Sequence, residues 1–288
     1  MKIAFIGAGK VGCSLGLYFK ERQVELLGYY SKSYDSALYA ASLTKSQAFE
    51  NLDNLVKEAD LIFVSVSDNQ IKVALKDVDK ALLENKILCH LSGAMSALEG
   101  FEPYQKIKGI KLFSCHPLCA INSKEQSYKN LNEVFFFLEG STDYLKDFQD
   151  FLLATGLKVK ILKDSSLKAK YHLSATLVSN QVVALSDMAI DLLDQCGFSE
   201  DEAICALAPL MKYNLEQIIS GGVVKALTGP VQRADDKTVL KHLNCFDDPN
   251  DQKLYALLSL KLLKIAKQKS PNCDFSKLNE LLDTYIKD

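Results

Sequence analysis

The chain has 288 residues, 48 % of them hydrophobic, and a formal net charge of −2. This is enough apolar material for two domains or one large one, and the near-neutral balance excludes the electrostatic footprint of a nucleic-acid or anionic-membrane binder. Eight cysteines, at 13, 89, 115, 119, 196, 205, 245 and 273, form no C-x-x-C pair, so most are expected to be small buried hydrophobes kept reduced. Cys115, His116 and Cys119 sit around Pro117 in apolar surroundings, and no metal site is expected there.

The chain starts in an apolar run, Ile3 to Ile6, that opens directly into Gly7-Ala8-Gly9-Lys10-Val11-Gly12 and then a helical stretch, Lys10 to Glu21. A strand, a G-x-G-x-x-G turn and a helix in that order read as the first βα unit of a dinucleotide-binding fold. Gly7 permits the tight turn, Gly9 lets backbone approach a pyrophosphate, and Gly12 lets the helix pack on its strand. A start in a strand, with no signal-like segment and no apolar run of transmembrane length, leads to the expectation of a cytoplasmic protein without a membrane partner. The next strand, Val24 to Tyr30, ends on Ser31-Lys32-Ser33. An NAD site would favour a carboxylate here, roughly 20 residues past the glycines, to bond the ribose 2′-hydroxyl. Two hydroxyls and a cation instead suit a 2′-phosphate, so NADP(H) is the expected cofactor. The other reading of Lys32 is a solvated loop lysine.

Further apolar runs at 61–66, 87–91, 110–115 and 134–138 alternate with helical or loop segments. The pattern predicts an α/β fold, Rossmann-like and doubly wound, with a mainly parallel sheet. Tyr144 to Ala154 reads as a helix and Leu157 to Leu162 as one more strand or a connection. From Ser165 the periodicity is helical over 165–195, 200–219, 236–245, 251–268 and 275–287, punctuated by Gly197, Gly221-Gly222, Gly229-Pro230 and Pro249. The expected division is a nucleotide-binding domain over 1–160 and an all-helical domain over 161–288.

In open α/β sheets, ligands bind beyond the carboxyl ends of the strands, and polar motifs gather at those predicted ends. Val66-Ser67-Asp68 follows the third strand, His90-Leu-Ser92-Gly93 the fourth, and His116-Pro117-Leu118 the fifth. Val66, Ser67, Asp68 and His90 join the expected cofactor residues, and Ser92, Gly93 and His116 the substrate residues. Asp68 reads equally as a helix cap and His90 as a structural histidine. In Lys168-Ala-Lys170-Tyr-His172, followed by Thr176 and Asn180, positions i, i+4 and i+8 of one helix span about 80° of arc. His172 is the expected general acid for carbonyl reduction, Asn180 and Ser92 orient the substrate, Thr176 borders it, and Lys168 and Lys170 are rival acids. Arg233, one of two arginines in the chain, lies in the loop Thr228-Gly-Pro-Val-Gln-Arg233-Ala-Asp235. It reads either as a clamp for a substrate carboxylate or cofactor phosphate, or as an ion-pair partner of Asp235.

The set Gly7 to Gly12, Ser31 to Ser33, Val66 to Asp68, His90 to Gly93, His116 to Leu118, Tyr171-His172, Ser179-Asn180 and Thr228 to Pro230 with Arg233 and Asp235 spans nearly the whole chain. By it the sequence resembles a family of Rossmann-like oxidoreductases with a C-terminal helical domain of unknown function, within the 6-phosphogluconate dehydrogenase-like superfamily. That family is similar to ketopantoate reductases, pyrroline-5-carboxylate reductases and hydroxyisobutyrate-type dehydrogenases. The resemblance implies NADP use, a small 2-oxo acid substrate with 2-dehydropantoate foremost, and a homodimer formed through the helical domain. An imine reductase and a non-catalytic NADP(H) sensor are the alternatives. The chain departs from ketopantoate reductases where their lysine and first asparagine become His172 and Thr176, with Asn180 retained. Ala234 replaces the glycine that usually follows the loop arginine, and Cys-Ala-Ile follows His116-Pro-Leu where another sequence is expected.

Overall fold

Residues 1–286 are described by the computed structural model. The first strand is Ile3–Ile6 (β1), buried at all four positions. It is followed by Lys10–Glu21 (α1), Leu26–Tyr30 (β2), Tyr34–Thr44 (α2), Gln47–Phe49 (β3), Leu52–Glu58 (α3), Leu61–Val64 (β4) and the short Asp68–Ile71 (α4). Ile87–His90 (β5), Ala97–Gly100 (α5), Lys111–Pro117 (β6), Phe135–Gly140 (β7), Leu145–Ala154 (α6) and Lys158–Ile161 (β8) complete the sheet region. The eight strands lie in the order β3-β2-β1-β4-β5-β6-β7-β8. All neighbours are parallel except β6 and β7. The expected doubly wound, mainly parallel sheet is therefore the one observed. The sequence reading has no counterpart to the three-residue strand β3, and it did not anticipate the antiparallel turn-back at β7.

Strand alternation sorts the core into two layers. Phe5, Phe63, Cys89, Phe113, Phe136 and Leu138 face one side, and Ile6, Val64, Leu88 and Leu112 the other. On this second side the apolar row turns polar. His90 pairs in register with Ser114, and Ser114 with Glu139, so these three side chains share a face with His116, two residues beyond Ser114.

Two compact units divide the chain, Met1–Ala184 and Leu185–Asp288. The boundary is later than 160/161, because Lys168–Leu177 (α7) is held by the sheet through Lys168 and Tyr171. It falls inside Asn180–Asp194 (α8). The single long helix expected over 165–195 is broken at Val178 and Ser179. There Ser174, Thr176 and Ser179 turn their hydroxyls back onto the backbone carbonyls of Tyr171, Leu173 and Ala175. Such bonds compete with the regular helix, and Val178 caps α7 with non-helical φ and ψ. The segment Ser165–Asp194 is nonetheless apolar and long enough to cross a membrane by length and composition alone, contrary to the sequence expectation.

The second unit contains Glu200–Ala226 (α9), Asp236–Leu243 (α10), Pro249–Lys269 (α11) and Ser276–Thr284 (α12). A capping box of Ser199 and Glu202 starts α9, and Gly222, at φ 77°, breaks it. Val231, Val239, Leu243, Ala256, Leu263, Leu278 and Leu282 form the core of this unit. Only Cys13, Cys89 and Cys115 are buried and the other five cysteines are exposed, so most of them do not serve as core residues as expected.

Ala234 adopts φ 55°. This left-handed conformation costs an L-residue about 1–2 kcal/mol relative to the right-handed one, and glycine would adopt it without that cost. Ala234→Gly should raise stability, by about 0.5–1 kcal/mol after the greater unfolded-state entropy of glycine is subtracted. The denaturant midpoint checks this, and an unchanged or lower midpoint contradicts it.

Candidate active site

At the carboxyl ends of β1 and β4 the glycine loop is fastened by Ser65, whose hydroxyl donates to the carbonyl of Gly7 at 2.9 Å. Gly7 holds φ 104°, and a Cβ there would stand 2.9 Å from the Ser65 carbonyl oxygen. At Gly12 a Cβ would come within 2.4 Å of Ser65 Oγ. Both glycines are thus required by the chain itself. Gly9 is different: its nearest neighbour would be 3.9 Å away, so glycine there leaves open space at the start of α1. That helix has no side-chain cap and no acid in its first turn, the arrangement that favours an anion against its amides.

A cavity of about 710 Å³ adjoins the loop, lined among others by Gly7, Ser31, Lys32, Val66, Gln70 and Val73. Lys32 is exposed and donates to the Gln70 side chain at 2.6 Å. Ser33 caps α2 by accepting from the Ser36 amide. Ser31 and Lys32 offer a hydroxyl and a cation to a 2′-phosphate, on a cavity wall that also carries Lys76 and the carboxylates of Glu50, Asp53 and Asp77. Ser67 is exposed and bonds Asn69, while Lys10 is exposed, Val11 half-buried and Ala8 buried.

Two sequence assignments are corrected beside this cavity. His90 is fully buried, and both of its ring nitrogens are engaged: Nε2 donates to the Ser96 carbonyl at 3.0 Å and Nδ1 accepts from the Ser92 amide at 3.2 Å. Burial pushes its pKa down to about 4, so His90 is a neutral brace for the loop and has no group left for a cofactor. Ser92 donates to Asp68 at 2.8 Å and accepts from the amides of Ala94 and Met95. Its hydroxyl holds the loop in shape and has no proton to spare for a substrate.

That loop presents Gly93 to two imidazoles. A Cβ on Gly93 would stand 2.6 Å from His172 Cδ2 and 2.8 Å from His116 Nε2, so glycine is what lets both rings close in. The rings meet edge to face with centroids 6.1 Å apart. His116 Nδ1 lies 2.7 Å from the Tyr171 hydroxyl, and Tyr171 packs on Phe137 at 4.4 Å. Burial, followed by the charges of Lys168 and His172, lowers the His116 pKa to about 4. His172 shows no hydrogen-bond partner among the described residues.

Lys168 is the residue that sequence reasoning misplaced. A lysine at a helix start is usually solvated, but this one is 3 % exposed. Its ammonium bonds Ser114 Oγ and lies 3.3 Å from Glu139. Burial lowers its pKa, and Glu139 opposes the shift. Glu139 also accepts from the Ala97 amide at 2.7 Å. Lys168 is therefore spent on the ion pair and unavailable as an acid, while Lys170 is exposed. Asn180 opens α8, beyond the helix break, so it does not share the face of His172 as expected; Thr176 bonds its own helix. Arg233 lies in the second unit and is exposed. Its supposed partner Asp235 instead caps α10 through Thr238. Glu139, Ser114 and Tyr171 were not assigned roles from sequence. The one available signal was period two, which places Ser114, His116 and Glu139 on one face once β7 is known to pair with β6.

Residues 2–92 match the family described as NADP oxidoreductase coenzyme F420-dependent, and residues 134–262 match the Domain of unknown function (DUF2520). No curated protein matches the chain in sequence. Among solved structures, protein TM1727 from Thermotoga maritima is 25 % identical over 93 % of this chain and 99 % of its own, with a TM-score of 0.73. A pyrroline-5-carboxylate reductase from Coxiella burnetii, at 12 % identity, covers 99 % of this chain and 98 % of its own with a TM-score of 0.59. A reductive aminase from Aspergillus terreus in complex with NADPH, at 14 % identity, covers 99 % of both with a TM-score of 0.63. These last two share the fold. The chain is thus similar to NADP oxidoreductases over its N-terminal part and to the DUF2520 domain over much of the remainder.

Proposed function

We propose that the chain is an NADPH-dependent reductase of a small 2-oxo acid, with 2-dehydropantoate as the first substrate to test. The observation that carries this reading is the convergence of His116 and His172 on Gly93, at the same carboxyl edge of the sheet as the glycine loop. When bound, NADPH supplies the hydride. Reduction then needs one proton: the carbonyl carbon gains a C–H bond, the π pair moves to oxygen, and oxygen takes H⁺ to become a hydroxyl. His172, whose ring has no hydrogen-bond partner among the described residues, is the group assigned to give that proton. His116, kept uncharged, steadies the oxygen as charge develops on it. The loop from Gly7 to Gly12 takes the pyrophosphate, and Ser31, Lys32 and Ser33 take the 2′-phosphate.

A second reading, reduction of a C=N bond, draws support from the fold shared with the reductive aminase and the pyrroline-5-carboxylate reductase. We also infer that two copies pair through the helical part. The second unit leaves Leu215, Ile219 and Val223 exposed at 52–83 % on one side of α9, apolar surface that pairing would cover.

NADPH oxidation should be seen with 2-dehydropantoate or another branched 2-oxo acid. His172→Ala should cut kcat by ~10²–10⁴-fold with cofactor affinity nearly unchanged, and Lys170→Ala should leave the rate as it was. An active His172→Ala enzyme contradicts the assignment of the acid, and a chain that binds NADPH but turns over no carbonyl or imine is a sensor. The same sample should scatter light as twice 32.0 kDa; a single-chain mass removes the pairing. Lys32→Ala should weaken NADPH by about 1–3 kcal/mol more than NADH. Equal losses measured by titration would remove the 2′-phosphate role.

A further inference from the structure

Tyr171 has no place in the reaction as written, yet its single hydrogen bond decides what His116 can offer. His116 stands on β6 between the Gly93 loop and α7. The groups facing it are Ser114 on its own strand, Phe137 and Glu139 on β7, and Lys168, Tyr171 and His172 on α7. The Tyr171 ring meets it edge-on with centroids 5.7 Å apart, and the hydroxyl reaches Nδ1 at 2.7 Å. Burial lifts the Tyr171 phenol well above its ordinary pKa, so the hydroxyl keeps its proton. Among the described residues Nδ1 is its sole partner, and with the phenol as donor Nδ1 is the acceptor.

A neutral imidazole that accepts at Nδ1 must carry its one proton at Nε2. That nitrogen is the one 2.8 Å from the point where a Gly93 Cβ would stand, and among the described residues it has no partner. The cluster thus presents a fixed, uncharged N–H at the spot where the His172 ring also converges. An N–H donor suits a reacting atom that has a lone pair. A carbonyl oxygen has two. The nitrogen of an iminium, the protonated form in which a cyclic imine accepts hydride, has none and carries a hydrogen of its own, so it would meet this donor proton to proton. Recognition by an unpaired or opposed polar group discriminates strongly, by more than a hydrophobic contact can.

We infer that Tyr171 is a positioning residue that locks His116 in its Nε2–H tautomer, and that this donor makes the site select a C=O substrate over a C=N–H⁺ one. The inference rests on the reductase reading for its second half and on the Tyr171–His116 contact and its burial for its first.

Nitrogen-15 NMR of the full chain, labelled at histidine, tests the first half without any turnover. His116 should show a protonated Nε2 and a lone-pair Nδ1. Tyr171→Phe, which retains the ring against Phe137, should convert this to a mixture of both tautomers. Rates with NADPH then compare a branched 2-oxo acid with a cyclic imine. The wild-type chain should prefer the 2-oxo acid by about 10²-fold or more, and Tyr171→Phe should lose kcat on it, leave NADPH affinity unchanged and narrow that preference. A protonated Nδ1 in the wild-type chain, or an Nε2–H signal that Tyr171→Phe leaves untouched, overturns the lock. An intact lock in a chain that reduces the imine as fast as the 2-oxo acid overturns the selectivity. An intact lock in a chain that reduces neither overturns the reductase reading and leaves the role of Tyr171 standing.

Discussion

The arrangement of this site depends on one buried ion pair. Lys168 and Glu139 are 3 % and 5 % exposed, and taking two such charges out of water is costly by several kcal/mol each. The cost is offset only because neither end is left short of partners: the ammonium also meets Ser114 and the carboxylate also takes the Ala97 amide. The pair ties α7 to β6 and β7, and through α7 it sets Tyr171 and His172 over the carboxyl ends of the strands. It also acts at a distance, since the Lys168 charge helps to keep His116 and His90 neutral.

The sheet explains why these groups meet where they do. Period two places Ser114, His116 and Glu139, with His90, on the face that is apolar beneath β1 and β4. The core on that face gives way to polar side chains where α7 covers it. The strand order changes direction about β1, and there the glycine loop faces outward at the same edge. Fold and chemistry are therefore coupled: the layer that stabilises the nucleotide-binding half ends in the groups available to a substrate.

Much of this was legible in the chain. Gly7 to Gly12 after an apolar run identifies the first βα unit, because Gly7 and Gly12 answer separate steric demands within the chain and Gly9 leaves space at the start of α1. Gly93, His116 and His172 could be placed near one another from strand ends and a helix start. What could not be read was pairing. Glu139 directly follows the apolar run from Phe135 to Leu138, and nothing local shows that β7 turns back antiparallel to bring it beside Ser114. Lys168 looks like any solvated lysine until Glu139 is opposite it. The break after Leu177 escaped because Ser and Thr in a helix have two choices, solvent or their own backbone, and periodicity does not tell which is taken. His90 and Ser92 were read as ligand groups from their motif, and only the loop geometry reveals that their hydrogen bonds are used up within the chain.

The most direct measurement of this account is a double-mutant cycle on the ion pair, read by chemical denaturation. Lys168→Met and Glu139→Gln each leave a buried group without its counter-charge, and each should cost about 3–5 kcal/mol. The double variant should recover a large part of that loss, with a coupling of about 2 kcal/mol or more. Losses that simply add in the double variant would contradict the claim that the pair holds α7, and with it the two histidines, in place.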